Sequence, residues 1–356
     1  MAVDVRMINA SGIGTYISNL LPLIIESNPE IHFYLLGDSS SIERKQWNLS
    51  NISVIKMQSP IYSIAEQKEF TRKIPKDINL FWSPHFNIPL FYRGKLIVTI
   101  HDLFHLANPK FTTVPQRIYA KIFFNALRKK ADKIMFVSEF SRSEYTKYLG
   151  ASSKDCVTHI GVDSSWLHFT KLGKCNNKPF ILYVGNVKPH KNLMSLLSAY
   201  ERIADKVIHD LIIVGKKEGF ITGDTQVSKK AEMLGERVKF TGYIEESTLK
   251  NYFSNADLLV FPSFYEGFGL PPLEAMAVGC PTVVSTAASI PEVCADASLY
   301  FDPHDAGSIA EKILLVLNDN EIRGELILKG KERAALFTWE KCAAKTNELI
   351  RGVLEQ

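Results

Sequence analysis

Glu266 and Glu274 stand eight residues apart in the stretch EGFGLPPLE, with Gly267, Phe268, Gly269 and Leu270 between them. The two glycines let the backbone bend tightly and expose amide N–H groups at the start of a helix expected from Leu270. Such a turn is an anion site, best suited to phosphate. Pro271 and Pro272 fit the first turn of that helix, where a missing N–H costs little. Glu274, about one turn further in, is expected to point back toward whatever the loop holds. Two carboxylates beside a phosphate site suit a ligand with hydroxyls, such as ribose and a sugar. The plainer reading is a strand–turn–helix with two solvated glutamates.

Three further stretches carry chemistry. Gly185-Asn186-Val187-Lys188-Pro189-His190-Lys191-Asn192 follows the apolar run Pro179–Val184 and precedes a helical pattern, Leu193–Ile203. It makes a second phosphate cradle, and its lysines place compact charge on a diphosphate without demanding one geometry. Gly12 and Gly14 lie between the strand pattern Ala2–Ile8 and an amphipathic helix, Thr15–Ser27. Ile17 takes the place of the third glycine that a dinucleotide fingerprint needs, which argues against hydride transfer. His101-Asp102-Leu103-Phe104-His105 mimics a metal pair at i, i+4. It follows a β-branched strand and is cut off by Pro109, so a zinc-protease helix is not expected there.

EGFGLPPLE resembles the Glu-x7-Glu signature of the retaining nucleotide-sugar glycosyltransferases of the GT-B fold, in the large family usually called GT4. Family-like segments run from Gly12 to Trp339, nearly the whole chain. The resemblance implies an α/β protein of two Rossmann-like domains facing a cleft. It also implies transfer of a hexosyl unit from a nucleotide diphosphate sugar to an acceptor hydroxyl of a glycan or lipid-linked substrate, with retained configuration. It assigns Glu266 to the sugar hydroxyls and Glu274 to the ribose. Lys191, then Lys188, would hold the donor phosphates with Gly185, Gly267, Phe268, Gly269 and Leu270. Gly12 and Gly14 would face the pyrophosphate, and backbone around Tyr243 and Ile244 would meet the base. His101 would sit at the catalytic centre with Asp102 orienting its ring, and Ser138 would lie on the acceptor side. Asn186 departs from the arginine that many relatives carry after the glycine. No Asp-x-Asp occurs in the chain, so neither metal nor other cofactor is expected. GDP-mannose is the donor suggested by HDLFH and GNVKPHKN, with UDP-sugars next. A sugar-nucleotide epimerase and a non-catalytic assembly partner are the alternatives, and two-carboxylate glycosidase chemistry is the nearest enzymatic rival.

The elements that must position these residues alternate. Strand patterns at His32–Leu36, Ile52–Met57, Leu80–Trp82, Leu96–Ile100 and Ile134–Val137 are separated by helical ones, and the second half repeats the scheme at Leu211–Gly215, Val238–Ile244, Ala256–Phe261 and Thr282–Ser285. This predicts open parallel sheets covered on both faces, with ligands beyond the carboxyl ends of the strands. A length of 356 residues exceeds one core. The expected division is 1–168 for an acceptor-binding domain and 169–338 for a donor-binding domain, with a hinge at 166–178. The helix 339–356 is expected to cross back to the first domain.

The first 170 residues hold 20 Lys and Arg against 14 Asp and Glu, within a net charge of +4 for the chain. That suits an anionic acceptor or lipid surface and is modest for nucleic acid. Residues 110–133 interleave seven basic residues with Ile118, Tyr119, Ile122, Phe123, Phe124 and Leu127, and Asp132 is their one acid. They read either as a domain helix with a solvated basic face or as a weak contact with anionic membrane. Five cysteines without a CxxC pair read as reduced thiols. With no signal-peptide layout, the expected place is the cytoplasm, with peripheral attachment at the inner membrane face as the option the basic stretch leaves open.

Overall fold

The computed structural model describes residues 1–45, 47, 50–215 and 225–356. The chain divides into two compact units, Met1–Ile160 with Trp339–Gln356, and Gly161–Thr338.

The first unit is a parallel sheet in the order β3-β2-β1-β4-β5-β6-β7. Its strands are β1 (Ala2–Asp4), β2 (Phe33–Gly37), β3 (Ile52–Lys56), β4 (Leu80–Ser83), β5 (Lys95–Ile100), β6 (Lys133–Phe136) and β7 (Asp155–Val157). Val3 of β1 pairs with Leu35 on one side and Trp82 on the other. The runs are apolar because both faces are covered, with Leu36, Phe81, Val98, Ile100, Ile134 and Phe136 in one core. The return helix Trp339–Leu354 completes this unit: Trp339 meets Tyr16 edge-on at 6.0 Å, and Asn28 Nδ2 donates to Asn347 Oδ1 at 2.7 Å.

The second unit is a parallel sheet in the order β10-β9-β8-β11-β12-β13. It comprises β8 (Phe180–Val184), β9 (Asp210–Val214), β10 (Val238–Gly242), β11 (Leu258–Phe261), β12 (Thr282–Ser285) and β13 (Leu299–Phe301). Leu182 of β8 lies between Ile212 and Leu259. In both sheets the chain first builds outward to one side and then resumes on the other side of its first strand. The order therefore reverses between β1 and β4, and between β8 and β11. Crevices at such reversals are where open parallel sheets bind ligands.

Several expectations shift. The division falls after Ile160, eight residues before 168. Trp166 explains why, because it is buried against Phe253 and lies 5.3 Å from the Lys250 ammonium, both in the second unit. Part of the expected hinge is accordingly a short helix, Ser164–Leu167. β1 ends at Asp4 and the first helix begins at Ser11, so Gly12 and Gly14 occupy its opening turn. Gly14 is required by close approach, since a Cβ there would sit 2.5 Å from the Ile8 carbonyl oxygen. The basic stretch 110–133 becomes the helix Val114–Lys130, opened by a capping box between Thr113 and Gln116.

Candidate active site

Glycines shape the carboxyl edge of the second sheet. The Gly185 N–H donates to the Val214 carbonyl at 2.9 Å and the Gly215 N–H to the Gly242 carbonyl at 3.1 Å. A Cβ on Gly215 would lie 2.1 Å from the Gly185 oxygen, so only glycine fits. After Gly185 the chain makes a single turn, Pro189–Lys191, and stops at Asn192 in the left-handed region (φ 56°). Asn tolerates that conformation. Its buried amide donates to the carbonyls of Pro262 (2.9 Å) and Pro303 (2.8 Å). The Phe264 N–H donates to the His190 carbonyl at 2.8 Å. The loops after β8 and β11 are thus fastened to each other across the reversal.

That fastening brings two of the sequence candidates together. Lys191 Nζ reaches both carboxylate oxygens of Glu266, at 2.6 and 2.8 Å, with the side chains 22% and 12% exposed. Gly267, Phe268 and Gly269 follow directly. Gly269 is left-handed (φ 105°), and the helix Leu270–Ala277 starts after it with Pro271 and Pro272 in its first turn. The positive end of that helix lies beside the Lys191–Glu266 pair in the chain. Ser289 holds the loop from the far side, its hydroxyl within 2.9 Å of the Glu266 carbonyl and 2.8 Å of the Phe268 carbonyl. Ser289 directly precedes the short helix Ile290–Cys294. Its side chain instead serves this loop, and it makes no cap bond. Lys188 precedes the turn, and its charge with that of Lys191 adds to burial in holding His190 down at about 3.

Glu274 lies within the helix Leu270–Ala277. Burial pushes its carboxyl up to about 8, Glu246 adds to the shift, and Lys250 opposes it. Those charges come from the helix Glu246–Asn255, and the Lys250 ammonium is already held by Glu246 Oε1 (2.8 Å) and Ser165 Oγ (2.5 Å). Tyr243 and Ile244 follow β10 at the same sheet edge, with Tyr243 68% exposed.

In the first unit the reversal between β1 and β4 is filled by charge. Arg6 grips both oxygens of Asp4 (Nε to Oδ1 2.9 Å, Nη2 to Oδ2 2.7 Å) and reaches Glu66 Oε2 at 2.7 Å. His85 takes the Asn87 N–H on Nδ1 (3.2 Å) and donates from Nε2 to Asp4 Oδ2 (3.0 Å). Asn87 Nδ2 donates to Glu66 Oε1 at 2.8 Å, and the Tyr119 hydroxyl bonds Asn87 Oδ1. All the acids here are fully buried. Burial alone would raise Asp4, but Arg6 and His85 overcome it and hold the carboxyl well below the usual range. Sequence reading missed this network. Its one local signal is an acid in the buried strand AVD with arginine two residues on.

His101 follows β5. Its Nε2–H donates to the Pro84 carbonyl at 2.9 Å, its ring meets Tyr16 edge-on at 4.9 Å, and burial holds it down at about 4. The ring is therefore neutral, with Nδ1 as its acceptor. Asp102 Oδ1 accepts the Phe104 N–H at 2.9 Å. Ser138 is a helix cap, accepting the Ser141 N–H at 3.0 Å, while Ser141 Oγ donates to the His101 carbonyl at 2.9 Å.

Two family models together match residues 10–333: Glycosyltransferase Family 4 over residues 10–166 and Glycosyl transferases group 1 over residues 164–333. O-antigen chain mannosyltransferase B of Escherichia coli is 30% identical over 278 residues, 75% of this chain and 72% of that one. The chain belongs to the group 1 glycosyltransferases. It is also 29% identical to the serotype-specific mannosyltransferase WbdA of Escherichia coli, spanning 70% of this chain but only 32% of that longer protein. Among solved structures, Anabaena Alr3699/HepE in complex with UDP and glucose superposes over 99% of both chains with a TM-score of 0.79 at 16% identity. The fold of this glycosyltransferase is thus GT-B, with two Rossmann-like domains.

Proposed function

We propose that this glycosyltransferase is a retaining, metal-independent hexosyltransferase of cell-surface polysaccharide synthesis. In this reading it moves a hexosyl unit, mannose from GDP-mannose first and a UDP-sugar second, to a hydroxyl of a glycan or lipid-linked acceptor. The observation that carries the reading is the Lys191–Glu266 pair beside a glycine turn and a helix N-terminus at the β8/β11 reversal. An arriving diphosphate competes with Glu266 for the ammonium. Lys191 then turns to phosphate oxygens, and Glu266 is released to accept hydrogen bonds from the sugar hydroxyls. Charge develops on the diphosphate as the C1–O bond breaks. Lys191, Lys188 and the amides near Leu270 supply fixed positive potential where it appears. The acceptor oxygen bonds C1, and its proton leaves on the departing phosphate oxygen. The mannosyltransferase relatives favour mannose, and the HepE complex keeps UDP-linked donors in view. Neutral His101 contributes as a hydrogen-bond acceptor to sugar or acceptor.

The reading extends to a lipid surface. Val114, Ile118 and Ile122 recur every fourth residue along the helix Val114–Lys130 and are each more than half exposed. Ala120, Phe123, Phe124 and Leu127 already bury the opposite face. Lys121, Lys129 and Lys130 flank the exposed stripe, a layout suited to the headgroup boundary of an anionic bilayer. Among the described residues no helix is long and apolar enough to cross a membrane, and attachment would be peripheral.

A thermal-shift panel of GDP, UDP, ADP and their sugars tests the donor assignment, since a bound donor raises the midpoint by mass action. The reading predicts a rise with GDP- or UDP-linked compounds, and turnover that survives EDTA. No shift with any nucleotide, or turnover abolished by EDTA and restored by manganese, overturns it. Co-sedimentation with phosphatidylglycerol vesicles that weakens with salt supports the lipid contact, and salt-indifferent or absent binding removes it.

A further inference from the structure

Tyr62 stands out in the first unit. It is 43% exposed and left-handed (φ 68°), a backbone region costly for an aromatic residue and found where surrounding structure imposes it. Its ring stacks on Phe86 (centroids 6.0 Å, interplanar 20°) and meets Tyr119 edge-on (5.5 Å, 85°). Both supports are themselves racked. Phe86 stacks on buried Phe124 at 4.9 Å, and Tyr119 stacks on Phe123 at 4.2 Å with its hydroxyl tied to Asn87 and Glu66. The Tyr62 hydroxyl has a weak acceptor, the Met7 sulfur at 4.0 Å. Burial is the main cause that pushes that hydroxyl up to about 12. A rigid, partly exposed aromatic face is what a pyranose ring packs on. The pyranose C–H face lies against the aromatic ring and buries apolar surface there.

We propose that Tyr62, braced by Phe86 and Tyr119 above the buried Arg6–Glu66–Asn87 network, is the platform on which the acceptor saccharide stacks. The assignment rests on the transferase reading above for calling that saccharide the acceptor. The alternative source of affinity, an acyl chain lying on Ile118 and Ile122, is separated by the choice of probe. Methyl α-D-mannopyranoside carries no chain, whereas octyl α-D-mannopyranoside does.

The experiment uses the full chain, with saturation-transfer NMR and titration of both glycosides, and GDP and UDP affinity measured on the same samples. Transfer to the sugar ring protons is expected in the wild type for both probes. Tyr62→Ala should weaken glycoside binding about tenfold, or ~1.4 kcal/mol, while Tyr62→Phe stays within about twofold. Tyr62→Gly removes the ring yet relieves the left-handed backbone, so it should hold or raise the thermal midpoint and still lose the glycoside. Nucleotide affinity should not move in any variant. The platform is overturned if the wild type shows no transfer to ring protons, if Ala and Gly variants keep wild-type glycoside affinity, or if nucleotide affinity falls in parallel. Failure of the wild type to bind any nucleotide would instead sink the transferase reading while leaving the glycoside comparison interpretable.

Discussion

The two units reverse their strand order at equivalent places and fill the crevice differently. At β1/β4 the filling is Asp4, Arg6, Glu66 and His85, sealed from solvent and mutually satisfied. At β8/β11 it is one ion pair, Lys191–Glu266, still partly exposed and flanked by a glycine turn. The lesson concerns where charge is free to act. A sealed cluster has no partner to exchange, and it braces what stands above it. An accessible pair beside a helix N-terminus can trade one anion for another. The same topology therefore gives a foundation in one unit and an anion-exchange site in the other.

Arg6→Met is the harshest test of the sealed side. It leaves Asp4 and Glu66 buried without their cation, and a loss of ~3–5 kcal/mol in unfolding free energy is expected from chemical denaturation. A variant as stable as the wild type would show that the cluster braces nothing. Lys191→Ala probes the accessible side, where the effect should appear in turnover, down roughly 10²-fold, with little change in the thermal midpoint. If stability and turnover fell together in both variants, the contrast between the two crevices would be lost.

Glu274→Gln sharpens the picture inside the second unit. The folded carboxyl lies at about 8, above its ordinary 4.5, so the folded state holds its proton more tightly. That contribution to stability is complete below pH 4.5 and drains away as pH rises to 8. The midpoint of the glutamine variant should gain on the wild type progressively from pH 5 to pH 9; a constant difference would place Glu274 in a wetter site. His101 gives the smallest signal and the opposite sign. Held down at about 4, it stabilises the fold fully above its ordinary 6.5, and that stability fades as pH falls from 6.5 toward 4. Its ring protons should show no NMR titration near neutral pH, and a midpoint near 6.5 would mean the ring is solvated.

Much of this was legible in the chain. The glycine turn, the helix start at Leu270 and the alternating strands are local signals, because each depends on residues within a few positions. The pairing of Lys191 with Glu266 was not, since two loops 75 residues apart must be fastened by Asn192 and His190 before those side chains meet. The surroundings of Glu274 were not legible for a related reason. Helix periodicity gives its angle on the helix, not the neighbouring helix that supplies Glu246 and Lys250. Tyr62 carries no signal at all, because Ile-Tyr-Ser contains neither the glycine nor the asparagine that usually marks a left-handed residue. Its conformation is imposed by the aromatic rack beneath it.

The return of Trp339–Leu354 onto the first unit sets an order of assembly. Residues 1–160 emerge from the ribosome first, yet the groove around Tyr16 and Asn28 stays uncovered until roughly 180 further residues have been made. At ordinary elongation rates that is a wait of ~10–35 s. The later-synthesised unit can close before the earlier one, so the longer exposure to chaperones and proteases falls on the earlier-made of the two units.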